Sequence, residues 1–173
     1  MVDINANRER WEREVDDRLP ALLDCLLASE VYGLGAGRQP PPETYGVYLF
    51  SENGEPRYVG RVGLTERSRL AGARFSSFRT RLRGHVRARH NEGTFAYALA
   101  VAAFRDRGLP LAGTRQGNSD NPEFHEEHTR QCKRVREMEF RVVEIPADES
   151  VLAATFEMYA ATVLELPQSF TVS

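Results

Sequence analysis

The chain predicts an α+β fold: a small three-stranded antiparallel sheet flanked by helices, with an N-terminal helical extension. Three observations predict it. Residues 46–60, GVYLFSENGEPRYVG, set two short apolar runs on either side of Asn53-Gly54, the pair that supplies the positive φ angles of a tight hairpin. Residues 138–145, MEFRVVEI, alternate apolar and polar side chains as a half-buried strand does. Residues 151–164, VLAATFEMYAATVL, form a long alanine-rich apolar run with one charge, which is helix rather than strand by length.

The remaining elements follow in chain order. Trp11, Val15 and Leu19 recur every four residues and predict an amphipathic helix, which Pro20 ends. A second helix then carries Leu22, Leu23, Leu26 and Leu27. Residues 33–42, GLGAGRQPPP, are a linker by composition and divide the chain into an extension (1–41) and a domain (42–173). Those glycines do not read as a phosphate loop, because no lysine follows them and no strand precedes them. Within the hairpin, loop length decides where Tyr48 and Tyr58 point. A two-residue loop puts them on opposite faces. A three-residue loop, Glu52 to Gly54 with Gly54 left-handed, makes them direct cross-strand neighbours, and this is the expected arrangement. Residues 79–86, RTRLRGHV, predict a helix, as do the alanine-rich residues 95–107. Residues 109–121 read as a polar loop, and 122–136 as a helix capped by Asn121 with Pro122 in its first turn. Asp148 is the expected N-cap of the last helix, with Pro167 just past its end. That helix is apolar nearly all round and is therefore expected to be largely buried.

Charge is unevenly distributed. The chain has 173 residues and a formal charge of -2, yet residues 57–89 hold ten arginines and one acid, Glu66. Self-repulsion in such a stretch calls for an anionic partner, and guanidinium forks match phosphate oxygens bidentately. The slightly acidic overall balance points to a transient hold on nucleic acid, or to a partner that adds grip. Cys25 and Cys132 lie far apart and read as reduced thiols of a cytoplasmic protein. No segment reaches the length of a membrane span, and the N-terminus does not read as a signal peptide. Nothing in the sequence sets an oligomeric state.

Four groups of residues carry candidate chemistry. Two phenols on one sheet face, Tyr48 and Tyr58, can act as acid, base or hydrogen-bond donor to a phosphate; they can equally be an ordinary aromatic pair. Arg81 and His85 stand four apart, on one face of a helix, where one can neutralise a phosphate oxygen and the other donate a hydrogen bond or shuttle a proton. Glu157 is a lone carboxylate in an apolar helix and is costly there unless paired, protonated or bound to a metal. His125, Glu126, Glu127 and His128 invite a zinc site, but the spacing differs from the metalloprotease signature, and a charged surface helix is the preferred reading.

Gly46-Val47-Tyr48, then Tyr58-Val59-Gly60, then the Arg81-Leu82-x-x-His85 helix, then Glu157: in this order the residues resemble the GIY-YIG nuclease superfamily, from about residue 43 to the C-terminus. The resemblance implies a metal-dependent endonuclease hydrolysing phosphodiester bonds in DNA, with RNA as the alternative polymer. It implies one Mg2+ or Mn2+ ion on Glu157. Tyr48 would act as general base or orient the attacking water, and Tyr58 would hydrogen-bond within the same network. Arg81 would carry developing negative charge. Arg61, directly after the second signature, and His85 would position phosphate or move a proton. A tyrosine base is poor at its free pKa of about 10 and requires a strongly positive setting, which the arginines are expected to supply. Arg67, Arg69, Arg74, Arg79, Arg83 and Arg87 are the expected nucleic-acid contacts. The chain departs from the family pattern in two places. Gln168 or Ser169 stands where an asparagine is expected, and residues 62–78 make a longer link, a candidate DNA-contacting insertion. Two further readings follow: a binding module that kept the fold and lost efficient catalysis, and an interaction protein docked through its N-terminal helices.

Overall fold

A computed structural model describes residues 4–35, 37–39, 41–62, 77–87 and 93–166. Helix α1 (Ile4–Arg13) runs through one π-helical turn (Glu14–Arg18) into α2 (Leu19–Ala28). Pro20, in the first turn of α2, cannot donate to the carbonyl four residues back, and the widened turn falls on the residues it would have bonded. Strands β1 (Tyr32–Gly33), β2 (Gly46–Glu52) and β3 (Glu55–Val62) precede helices α3 (Phe78–His85), α4 (Thr94–Asp106), α5 (Arg115–Asp120) and α6 (Pro122–Glu137). Strand β4 (Glu139–Glu144) and helix α7 (Ser150–Val163) complete the described residues.

The sheet is antiparallel with order β1-β4-β2-β3, so it has four strands rather than the expected three. The extra strand pairs Tyr32 with Phe140 and Gly33 with Glu139. Two residues are too few to show an alternation, and Gly33 reads by composition as the start of the linker.

The hairpin differs from expectation in an informative way. Glu52 pairs with Glu55, so the loop is two residues, with Asn53 and Gly54 at φ of 55° and 81° as a type I′ turn requires. Ser51 then pairs with Pro56 while Phe50 pairs with Tyr58, leaving Arg57 as the extra residue of a β-bulge. The bulge shifts the alternation by one and returns Tyr58 to the face that carries Tyr48. The two phenols are diagonal neighbours, not direct partners: Gly60 stands opposite Tyr48, and the rings lie 6.1 Å apart.

Helices cover both faces. On one, Tyr48, Phe50, Tyr58 and Phe140 pack with Phe78 and Leu82 of α3, Phe95 of α4 and Val135 of α6. On the other, Val47, Leu49 and Val59 pack with Leu19, Leu23 and Leu26 of α2 and Phe156 of α7. Phe50 and Phe156 are fully buried on opposite faces, and burial of each contributes roughly 1.5–3 kcal/mol towards holding its layer in place. Helix α6 begins as predicted: Asn121 Oδ1 accepts from the N–H of Glu123 at 3.0 Å and from that of Phe124.

Three other expectations change. Helix α7 is capped at Glu149, with no side-chain cap bond, rather than at Asp148; the Glu149 carboxylate instead pairs with Arg18. One side of α7 faces outward: Val151 and Met158 are 71% and 69% exposed, so this helix is half-buried and not enclosed. The segment read as a polar loop contains α5, whose N-cap Thr114 accepts from the N–H of Gly117 at 3.0 Å. Six polar residues are too few to display helical periodicity. Cys25 is exposed, Cys132 is buried, and both are free. No helix among the described residues is long and apolar enough to cross a membrane. Residues Glu66, Arg67, Arg69, Arg74, Pro167, Gln168 and Ser169, named above, lie outside the described residues, as do positions 63–76 of the candidate DNA-contacting insertion.

Candidate active site

Four elements bring the expected residues together. Central strand β2 supplies Tyr48, edge strand β3 supplies Tyr58 and Arg61, α3 supplies Arg81 and His85, and α7 supplies Glu157. Ser77 caps α3 by accepting from the N–H of Thr80, and Leu82, fully buried, fixes the helix on the sheet. His85, one turn beyond Arg81, is thereby directed inward: it is 1% exposed, not a surface histidine. Its Nε2 lies 2.7 Å from the Tyr48 hydroxyl. Arg81 and Tyr58 lie near enough to bias the ionisation of the Tyr48 phenol, and the Tyr58 ring is 6.1 Å from that of Tyr48. Phe95 at the start of α4 stacks on Tyr58 at 4.6 Å and 11° and locks that ring. The sequence marked Phe95 only as the first bulky residue of an alanine-rich helix.

The two glycines of the signature stretches have a spatial reason. A Cβ at Gly60 would overlap the Tyr48 hydroxyl and come within 2.8 Å of Tyr58 Cε1. A Cβ at Gly46 would overlap the Val143 carbonyl of β4. Glycine at 60 therefore lets the phenol lean across β3 towards the sheet edge.

Burial dominates the electrostatics. It pushes Tyr48 well above the ordinary phenol range, with Tyr58 adding to the rise and Arg81 opposing it. Tyr58 is raised as well, again chiefly by burial, against the pull of Arg81. The expected positive setting is therefore outweighed, and Tyr48 is a neutral phenol. Burial, with the Arg81 charge, depresses His85 to about 3, so it is a neutral imidazole at neutral pH and a hydrogen-bonding partner rather than a proton carrier. Its Nδ1 is buried without a partner among the described residues.

Glu157 arrives from the other face. Its Oε2 accepts from Arg61 Nε at 2.8 Å, with 18% of the Glu157 side chain exposed. Of the three ways to hold a carboxylate there, pairing is the one realised. Burial raises Glu157 above the usual carboxylate range, and Arg61 and then Arg81 only partly offset this. A half-buried, incompletely compensated carboxylate at the rim of a phenol–guanidinium cluster fits a hard divalent cation. Among the described residues no group of three or more His, Cys, Asp and Glu gathers as a metal centre. A cation here would rest on one carboxylate, with water and phosphate completing its shell, a mode that suits magnesium.

The outer arginines divide. Arg79 is engaged with the Glu43 carboxylate at 3.0 Å and the Pro41 carbonyl at 3.1 Å. Arg83 and Arg87 are exposed on and just beyond α3. On α6, Glu127 and His128 are buried while His125 and Glu126 are exposed; Glu127 is bound by Arg107, Arg130 and Gln131. The sequence reading did not single out Arg115, which lies over the Tyr97 ring.

Comparisons with protein families, with curated proteins and with solved structures found no match for this chain.

Proposed function

We propose that this chain is a divalent-metal-dependent endonuclease of the GIY-YIG type that hydrolyses phosphodiester bonds in DNA. The observation that carries the reading is the 2.7 Å contact between His85 Nε2 and the Tyr48 hydroxyl, with Tyr58, Arg81 and the Arg61–Glu157 pair gathered near the same phenol. A buried phenol bonded to a neutral imidazole is a fixed dipole, and preorganised dipoles aimed at developing charge usually make the largest single contribution to catalysis.

In this reading Tyr48 Oη orients the attacking water, since its raised pKa disfavours a phenolate. His85, neutral, keeps the phenol in place. Arg81 takes up charge developing on the phosphate oxygens. A cation on Glu157, when bound, supplies Lewis-acid charge to the phosphate and the leaving oxygen. Glu157 would hold such a cation only once Arg61, 36% exposed, had left the carboxylate, and the freed guanidinium would then be available to the phosphate.

Supercoiled plasmid incubated with Mg2+ or Mn2+, with and without chelator, tests the reading beside Glu157→Ala and Tyr48→Phe. The expected result is metal-dependent nicking that both substitutions remove. Nicking by Glu157→Ala at the wild-type rate would sink the assignment. Salt-sensitive DNA binding without nicking under any condition would replace it with the binding-module reading.

A further inference from the structure

Helix α1 stands clear of the sheet. Every described side chain of α1 is exposed, and among the described residues the helix packs chiefly on the π-helical turn that follows it. Its apolar stripe nonetheless continues that of α2. Leu19 is 2% exposed, Val15 is half-buried, Trp11 is 49% exposed and Ile4 is 76% exposed. The stripe thus begins in the core and leaves it. Trp11, Val15 and Leu19 form one wall of a groove of about 320 Å³, and Val151, Leu152 and Thr155 at the start of α7 form the other. The chain's one tryptophan therefore stands half exposed in an apolar groove. A tryptophan so placed is the commonest kind of anchor at a protein interface.

The charges of α1 identify the occupant. Residues 8–14 read RERWERE, and reflection through Trp11 reverses the sign at every charged position. Arg8 Nε lies 3.7 Å from Glu12 Oε1, so these two stand in one row along one flank of the Trp11 stripe. A two-fold axis beside Trp11, perpendicular to the helix, keeps that flank and reverses the order of the row. Arg8 of one copy then meets Glu12 of the other, and the contact occurs twice. A parallel pair brings opposite flanks together and loses this match. Such exposed pairs fix orientation more than they add affinity, which falls to the apolar strip.

We propose that α1 pairs antiparallel with α1 of a second copy of this chain, Trp11 against Trp11, in the groove beside the start of α7. The inference is independent of the nuclease reading. One short helix and the adjoining end of α7 make an interface below about 1,200 Å². The dimer is therefore expected to be reversible, with a micromolar Kd.

The test is sedimentation equilibrium of the full chain over the micromolar range. The expected result is a reversible doubling of mass as concentration rises, absent in Trp11→Ala. Arg8→Glu alone sets two acids together at each contact, and Glu12→Arg alone sets two bases together. Each is expected to weaken association at least about tenfold. Mixed in equal amounts, the two variants regain opposite charges at both contacts and should associate as tightly as wild type. Damage to the folding of α1 would instead leave the mixture as weak as its components, and that result overturns the proposal. So does a wild-type chain that stays monomeric, or a Trp11→Ala dimer as tight as wild type. None of these outcomes bears on Tyr48 or Glu157, so the nuclease reading stands or falls separately.

Discussion

Gly60 faces Tyr48 across β2 and β3 with no room for even a methyl group between them. Gly60→Ala must therefore push the phenol off its partners or spread the strands. Overpacking of this kind costs about 2 kcal/mol, and nicking activity is expected to fall with the displaced hydroxyl. Gly84→Ala is the contrast. Nothing lies within 4 Å of a Cβ there, inside α3, so helix propensity alone should stabilise the protein by about 1 kcal/mol. Thermal unfolding of the two variants, with opposite signs expected, checks the pair.

Glu157→Gln should separate function from stability. Cleavage is expected to fall at least about 100-fold, as when a group essential to transition-state charge is lost. Stability should move the other way. A carboxylate whose folded pKa is raised binds its proton more tightly in the native state, so its ionised form destabilises the fold at neutral pH. That destabilisation is fully present above the folded pKa and disappears as pH falls below the unfolded value of 4.5. The Tm of Glu157→Gln minus that of wild type should be positive at pH 7 and shrink towards zero in acid. A difference that grows in acid would contradict this account.

His85 has the opposite pH signature. Its folded pKa of about 3 lies below the ordinary 6.5, so its contribution is intact above pH 6.5 and is lost as pH falls towards 3. At about 1.4 kcal/mol per unit, the loss by pH 4 is on the order of 3 kcal/mol. His128, depressed to about 4, adds to it. Urea unfolding at pH 7 and pH 4 measures the total, and His85→Asn should flatten the dependence.

Arg61 holds the carboxylate that a cation would need. Arg61→Gln removes the competing charge, and Mn2+ titrated against the DNA-free protein, followed by electron paramagnetic resonance, should bind several-fold more tightly than to wild type. The same variant should cleave less, having lost a phosphate contact. Weaker Mn2+ binding would show that Arg61 supports the carboxylate rather than occupying it.

Strong local signals were legible in the sequence, and compensating ones were not. Asn53-Gly54 marked the reversal, but the bulge at Arg57 arises from pairing across the sheet and has no composition of its own. The loop length was therefore misjudged while the shared face of Tyr48 and Tyr58 was anticipated. Asn121 and Pro122 announced α6 because cap chemistry is local. The exposed flank of α7 could not be read from an apolar run, since Val151 and Met158 are as hydrophobic as the buried Phe156. The burial that keeps Tyr48 a neutral phenol depends on the helices packed over it. Arginine counts along the chain cannot reveal it. Arg115 escaped notice for a related reason: its neighbour Tyr97 is eighteen positions away and meets it only in the folded chain.

Among the described residues, strand β3 has a hydrogen-bonded neighbour on one side only. An open strand edge is a template for fibre growth and for runaway association between copies. Here that edge carries Pro56, which offers no N–H, the bulged Arg57, and Arg61. A second strand approaching it would meet a missing donor, a kink and positive charge. Substitutions that neutralise Arg57 or Arg61 to weaken nucleic-acid contact would also remove this guard, so loss of solubility is the side effect to watch for in such variants.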